Sequence, residues 1–181
     1  CPNYDQGLRD RRRTRAAIRK ELSAGKATSA LALVGAGEGA DVFKILFVGL
    51  CCREKGLFDA VEAVALLAAK LKASTSPVRV RLEVAGRFYR EAEQREFEER
   101  VGRDDLRSDG ASLVTHRGFV AGERKSELFR NCDCLCFPTY YSAESFGLVL
   151  VEAMAYGMPC VASRWRTIPE LFEEGYAGLV D

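Results

Sequence analysis

The chain has 181 residues, 48% of them hydrophobic and 29% charged, the balance of one ordinary globular domain rather than a disordered segment. Its 27 Lys and Arg stand against 26 Asp and Glu, and a net charge of +1 gives no reason to expect a nucleic-acid partner. No apolar run approaches the roughly 18 residues of a membrane span. The basic stretch between Arg9 and Arg19 is not followed by the apolar segment of a secretory signal.

Cys1-Pro2-Asn3 reads as a strand end entering a turn, and residues 177–181 as an apolar strand with nothing after it. Both suggest a fragment cut from a longer chain. Residues 15–22 form a short basic helix (Ala17, Ile18 and Leu22 apolar), by default a solvated face, with weak contact to anionic lipid as the alternative. Residues 23–43 read as loop, with Gly25, Gly35, Gly37 and Gly39. Within it Gly35-Ala36-Gly37-Glu38-Gly39-Ala40 mimics a dinucleotide fingerprint. The next strand begins at Lys44 and leaves no room for the helix that fingerprint needs. The reading is therefore of residues 1–43 as linker, basic helix and flexible insertion, and of 44–181 as a single folded domain.

From there strands and helices alternate. Residues 45–48 are a buried strand, and Leu57, Val61, Val64, Ala68 and Leu71 repeat at helical spacing. Residues 78–85 are a β-branched strand, and 91–101 a charged helix with Phe97 and Val101 inward. Strands follow at 112–115, 134–137, 160–162 and 178–180, and helices at 123–130, 147–156 and 168–173. This pattern predicts an α/β fold: a doubly wound, mainly parallel Rossmann-like sheet of about six strands, helices on both faces, in the order 3-2-1-4-5-6. In that order the sheet reverses between strands 45–48 and 134–137. Ligands bind beyond the carboxyl ends of strands at such a reversal. The loops there are 49–56 and 138–146.

Those loops hold the sequence's most polar chemistry. Glu144 lies in the second loop and Glu152 eight residues later, inside the helix. At about 1.5 Å per residue their Cα atoms are up to roughly 12 Å apart. That suits the two ends of a long ligand better than two carboxylates flanking one bond. Glu152 sits among Leu148, Val149, Leu150, Val151, Ala153 and Met154, where a carboxylate needs a partner. A diol of the ligand and an internal salt bridge both qualify. Between the carboxylates, the amides of Phe146, Gly147 and Leu148 open a helix, where free N–H groups favour phosphate. Gly49, Arg53, Lys55 and Gly56 lie across the crevice, and the two cations make a candidate diphosphate clamp.

Phe137-Pro138-Thr139, and then the run from Glu144-Ser145-Phe146-Gly147 through Glu152-Ala153-Met154 to Gly157-Met158-Pro159, resemble the signature of family 4 (group 1) glycosyltransferases. Val48-Gly49 to Lys55-Gly56 resembles that family's first-strand loop, Ile168-Pro169-Glu170 a later segment, and Cys1-Pro2-Asn3 its entry to the C-terminal domain. The resemblance implies the C-terminal, donor-binding half of a GT-B fold. The substrate would be a nucleoside-diphosphate sugar, and the transfer retaining. The acceptor would sit on a missing N-terminal domain of the same full-length chain. It makes Glu144 the catalytic-site residue on the donor sugar and Glu152 the ribose ligand. Arg53, Lys55, Gly49, Phe146, Gly147 and Leu148 would hold the rest of the donor. Gly118, Phe119 and Val120 would form the nucleobase pocket, with His116 at its edge. The family's arginine after the first-strand glycine is Leu50 here, and Arg53 is the candidate replacement. The glycine after the first glutamate is Ser145, and Arg166-Thr167 stand where the family has two glycines.

Seven cysteines and one histidine do not match a zinc pattern. Cys132, Cys134 and Cys136 read as one face of a strand, and the thiols as reduced, which suggests a cytoplasmic setting, with peripheral placement at an inner membrane face as the alternative. No cofactor or metal is expected. Tyr140 and Tyr141 serve equally as stacking or packing residues, and Asp133 as a structural cap. The rival functions are a nucleotide-sugar-binding module without activity and a nucleotide-sugar epimerase of the same architecture.

Overall fold

The computed structural model describes residues 42–76, 78–108 and 110–181. The readings of residues 15–22, of the decoy glycines and of Cys1-Pro2-Asn3 fall outside them. Strand β1 (Val42–Val48) is followed by a 3-10 turn (Arg53–Lys55) and helix α1 (Leu57–Ala73). Next come β2 (Arg79–Ala85), α2 (Glu91–Val101) and a 3-10 turn at Asp104–Leu106. A two-residue hairpin, β3 (Arg107–Ser108) and β4 (Ala111–Ser112), leads to β5 (Val114–His116) and α3 (Gly122–Asn131). The chain then runs through β6 (Cys134–Phe137), α4 (Leu148–Ala155), β7 (Cys160–Ser163), a 3-10 turn (Ile168–Leu171) and β8 (Leu179–Val180).

The main sheet has six strands in the order β5-β2-β1-β6-β7-β8, every pair parallel. This is the 3-2-1-4-5-6 order expected from the alternation, and it reverses between β1 and β6. The registers Ile45↔Cys134 and Leu46↔Leu135 join the two halves. Alternation along the strands sends residues to two cores. Phe47, Val80, Leu82 and Val84 pack with Leu57, Val61, Val64 and Phe97 under α1 and α2. Leu46, Leu135 and Phe137 pack with Phe129, Leu150 and Ala153 under α3 and α4. α1 carries buried residues at 57, 58, 60, 61, 64 and 65, the stripe that its apolar spacing predicts.

Two local readings are corrected. The hairpin β3–β4 takes up Ser112, so the following sheet strand starts at Val114. Cys132 caps α3 rather than lying on β6; it packs under α3 and α4, while Cys136 packs on the opposite face with the α1 core. Asp133 acts as a local cap: its Oδ2 accepts from the Lys44 amide at 2.9 Å, tying β1 to the residue before β6.

Candidate functional site at the sheet reversal

The loop after β1 is wedged between its neighbours by glycines. Gly49 N donates to Ala85 O and Cys51 N to Arg87 O, both at 3.0 Å, so the loop stays zipped to the exit of β2. A Cβ on Gly86 would lie 1.8 Å from Gly49 O, so only glycine lets the two backbones approach. On the other side Tyr140 N donates to Glu54 O at 2.8 Å, and Gly56 presses on Pro138. Both loops at the reversal thus form one surface.

Lys55 and Glu144 meet on it. Lys55 Nζ donates to Glu144 Oε2 at 2.5 Å, with side chains 16% and 11% exposed. The same ammonium stands 4.6 Å from the centre of the Tyr141 ring, a cation–π contact. Thr139, fully buried, places its hydroxyl 3.5 Å from Glu144 Oε2 and from Glu54 O. Trp165 Nε1 donates to Tyr141 O at 2.9 Å and Thr167 Oγ1 to Ser145 O at 2.7 Å, so the segment after β7 props the loop that carries Glu144.

α4 begins beside this pair. Gly147 is its N-cap at φ 65°, ψ 53°, and no side chain caps it. A Cβ on Gly147 would be 3.2 Å from the Phe137 ring, so the glycine serves both the turn and the packing. The opening amides are left for an acceptor from outside, with Phe146 46% and Leu148 72% exposed around them. One turn further along, Glu152 is gripped by Lys125 of α3, whose Nζ donates to Oε1 at 2.8 Å and to Oε2 at 2.7 Å.

Arg53 does not join Lys55. Its Nη2 donates to both oxygens of Glu96 on α2 at 2.6 Å, its backbone N–H to Glu93 Oε1 at 2.9 Å, and its guanidinium lies 4.7 Å from the Phe58 ring. The pairing holds the Glu96 carboxyl below its ordinary value, chiefly through the Arg53 hydrogen bond. The cause is local: residues 53–55 form a 3-10 turn. At about three residues per turn, positions two apart point roughly 240° apart. Arg53, expected as half of the clamp, is thus held by Glu96 in this structure rather than beside Lys55. Arg53→Ala is expected to leave nucleoside diphosphate affinity unchanged in calorimetry; a clear loss would return Arg53 to the site.

On the β2 side of the reversal a cleft of about 480 Å3 is lined by Gly49, Leu50, Arg87, Phe119, Val120 and Lys125, among others. Two of the three nucleobase-pocket candidates are there; Gly118 stands behind them, its carbonyl accepting from Gly86 N at 2.9 Å. The Arg87 guanidinium covers the exposed Phe119 ring at 4.4 Å. His116 is drawn the other way, its Nε2 2.9 Å from Gly86 O and its ring edge-on to Phe88 and Phe97.

Sequence reasoning missed Lys125, Arg87 and the buried Glu83, which is 3% exposed and accepts from Arg117 Nε at 2.6 Å. A signal existed for Lys125: it precedes the buried Phe129 by four residues and so shares that inner helix face. No disulfide joins the six cysteines among the described residues; burial pushes the Cys51 and Cys136 thiols up to about 12. Among the described residues no group of three or more His, Cys, Asp or Glu is placed to hold a metal, and no helix is long and apolar enough to cross a membrane.

A six-stranded parallel sheet of this order, with two glutamates on either side of an uncapped helix start, defines a Rossmann-like domain of the GT-B glycosyltransferase type. The model of the group 1 glycosyl transferases matches residues 36–180, and the chain belongs to that family. That membership sets aside the epimerase alternative. D-inositol 3-phosphate glycosyltransferase of Arthrobacter sp. (strain FB24) is 31% identical over 144 residues, 80% of this chain and 32% of that protein. Phosphatidyl-myo-inositol mannosyltransferase of Mycobacterium leprae is 42% identical over 84 residues, 43% of this chain and 22% of that protein. The chain thus spans about a third or less of the curated relatives it matches. The fold is similar to the catalytic domain of the cholesterol-alpha-glucosyltransferase from Helicobacter pylori, with TM-score 0.53 and 20% identity over 77% of this chain and 76% of that one. It is similar also to an E. coli structure described as trehalose-6-phosphate bound with UDP-2-fluoro glucose, with TM-score 0.59 and 18% identity over 92% of this chain and 38% of that one.

Proposed function

We propose that this domain binds a nucleoside-diphosphate sugar for retaining transfer of the sugar to an acceptor held by an N-terminal domain of the full-length chain. The observation that carries the reading is the spacing of two glutamates, each already opposite a lysine, about an uncapped helix N-terminus at the sheet reversal. Such a surface is alternately acceptor, donor and acceptor along its length. A sugar, a diphosphate and a ribose present the complementary sequence. Glu144 takes sugar hydroxyls next to the reacting carbon. Lys55 and the amides of Gly147 and Leu148 take the diphosphate. Their charge and dipoles stabilise the nucleoside diphosphate as it departs, so the proposed chemistry needs no metal. Glu152 accepts from the ribose diol, and Phe119 and Val120 flank the base. The family membership and the glycosyltransferase names of the relatives support this reading, and a protein of the same fold has been solved with UDP-2-fluoro glucose. The enzyme works in the cytoplasm.

The test is Glu152→Gln, which keeps the size and removes the charged acceptor. A hydrogen bond to a charged group is worth about 1.5 to 3 kcal/mol, so affinity for the nucleoside diphosphate is expected to fall by roughly tenfold or more. The free nucleoside, which carries the same ribose, should lose as much. Unchanged calorimetric affinity in the folded variant would remove Glu152 from the ribose.

A further inference from the structure

The clamp, as the structure leaves it, is short of positive charge. Arg53 is held by Glu96, and Lys55 is shared between Glu144 and Tyr141. A nucleoside diphosphate brings about three negative charges to this point. On the β1 loop the next position into the cleft is Leu50, which offers none. The same cleft is lined by Lys125, whose side chain is 28% exposed and rises from a different element, α3.

Lys125 is more than a counterion by its donor count. An ammonium has three N–H donors. Two point to Glu152 Oε1 and Oε2, and the third is taken by no hydrogen bond among the described residues, the ammonium otherwise standing 5.9 Å from the Phe129 ring centre. If Glu152 holds the ribose diol, as proposed above, the nearest anionic group of the same ligand is the phosphate on the ribose 5′ oxygen. The flexible stem of a lysine lets its head shift toward such a group without leaving the carboxylate. Arg87, the other cation lining the cleft, covers Phe119 and lies on the base side. The geometry points to Lys125 as a phosphate-binding residue of the donor site, supplying from α3 the positive charge that Leu50 does not supply from the β1 loop.

This inference rests on the donor reading, and the experiment separates the two. UDP, GDP and ADP, and then uridine, guanosine and adenosine, are titrated calorimetrically into the wild-type chain. The diphosphate that binds is carried forward with its nucleoside. Lys125→Met should weaken that diphosphate by about 10- to 100-fold, the loss of a charge-assisted hydrogen bond, and its nucleoside by no more than about threefold. Lys125→Arg keeps the charge and should stay near wild type. Leu50→Arg in the Lys125→Met background places a cation on the lining of the same cleft and should recover most of the lost diphosphate affinity, with none for the nucleoside. Equal losses for diphosphate and nucleoside would reduce Lys125 to the counterion of Glu152 and overturn the assignment, as would no loss in either. Failure of the Leu50→Arg rescue in a folded protein would show that positions 50 and 125 do not serve one subsite. If no diphosphate binds the wild-type chain, the donor reading itself fails and this inference with it.

Discussion

Gly56→Ala is expected to destabilise the domain by about 3 kcal/mol and to lower its thermal midpoint by roughly 6 to 12 °C. Two costs combine. Gly56 lies at φ 75°, ψ 21°, where any other residue carries strain of roughly 1 to 2 kcal/mol. Its missing Cβ would also fall 2.1 Å from Pro138 O and 2.6 Å from Pro138 Cγ. The backbone of one site loop would have to move off the other, an overpacking cost of about 1 to 3 kcal/mol. Because Lys55 precedes this glycine and Thr139 follows that proline, the shift would also part Lys55 from Glu144. Gly175→Ala is the control: Gly175 has φ 78° with open space around it, so only the strain applies. Its midpoint should fall by roughly 2 to 8 °C, and by less than that of Gly56→Ala. Equal shifts in the two variants would show that the contact with Pro138 is yielding and that the loops are not locked together there.

The second large effect is expected at Lys55. Lys55→Met leaves Glu144, 11% exposed, with only the long contact to the Thr139 hydroxyl. Breaking a fully buried pair from one side costs about 3 to 5 kcal/mol; the residual exposure here reduces that to about 2 kcal/mol. Glu144→Gln should cost a similar amount. The double variant should lose distinctly less than the sum, since neither side is left with an uncompensated charge. Binding should behave differently. Lys55→Met is expected to weaken a nucleoside diphosphate by at least about tenfold, and the double variant, though restabilised, should not regain that affinity. A double variant that is stable and binds like wild type would show that Lys55 neutralises Glu144 and grips no phosphate. Denaturant titration and calorimetry on the same four proteins decide the point.

What could be read in advance depended on how local its cause was. The limits of β6 and α2 follow from short-range pattern: a run of apolar residues between turn signals, and an acidic stretch with Phe97 at helical spacing. The strand order followed from alternation and handedness together. The β3–β4 hairpin escaped because two-residue strands have no periodicity, although an Asp-Gly pair is a turn signal in the sequence. At the site, the glutamate spacing lies within one loop and helix and was legible. The direction of Arg53 was not, because a 3-10 turn and an extended loop send the same residues to different sides. The grip of Lys125 on Glu152 joins two helices 27 positions apart in sequence, and only the packed fold brings them into contact.

The two lysine–glutamate pairs have a kinetic side. Each signature carboxylate is matched by one ammonium, so these four groups present almost no net field to an approaching anion. Electrostatic steering, which speeds encounter when a cleft is lined by one sign of charge, gains little from these four groups and is left to Arg87, the other cation lining the cleft. Under the proposed function a charged donor would be recognised at contact, Lys125 turning to the phosphate while it still holds Glu152. Selectivity would then reside in how long the donor stays rather than in how fast it arrives.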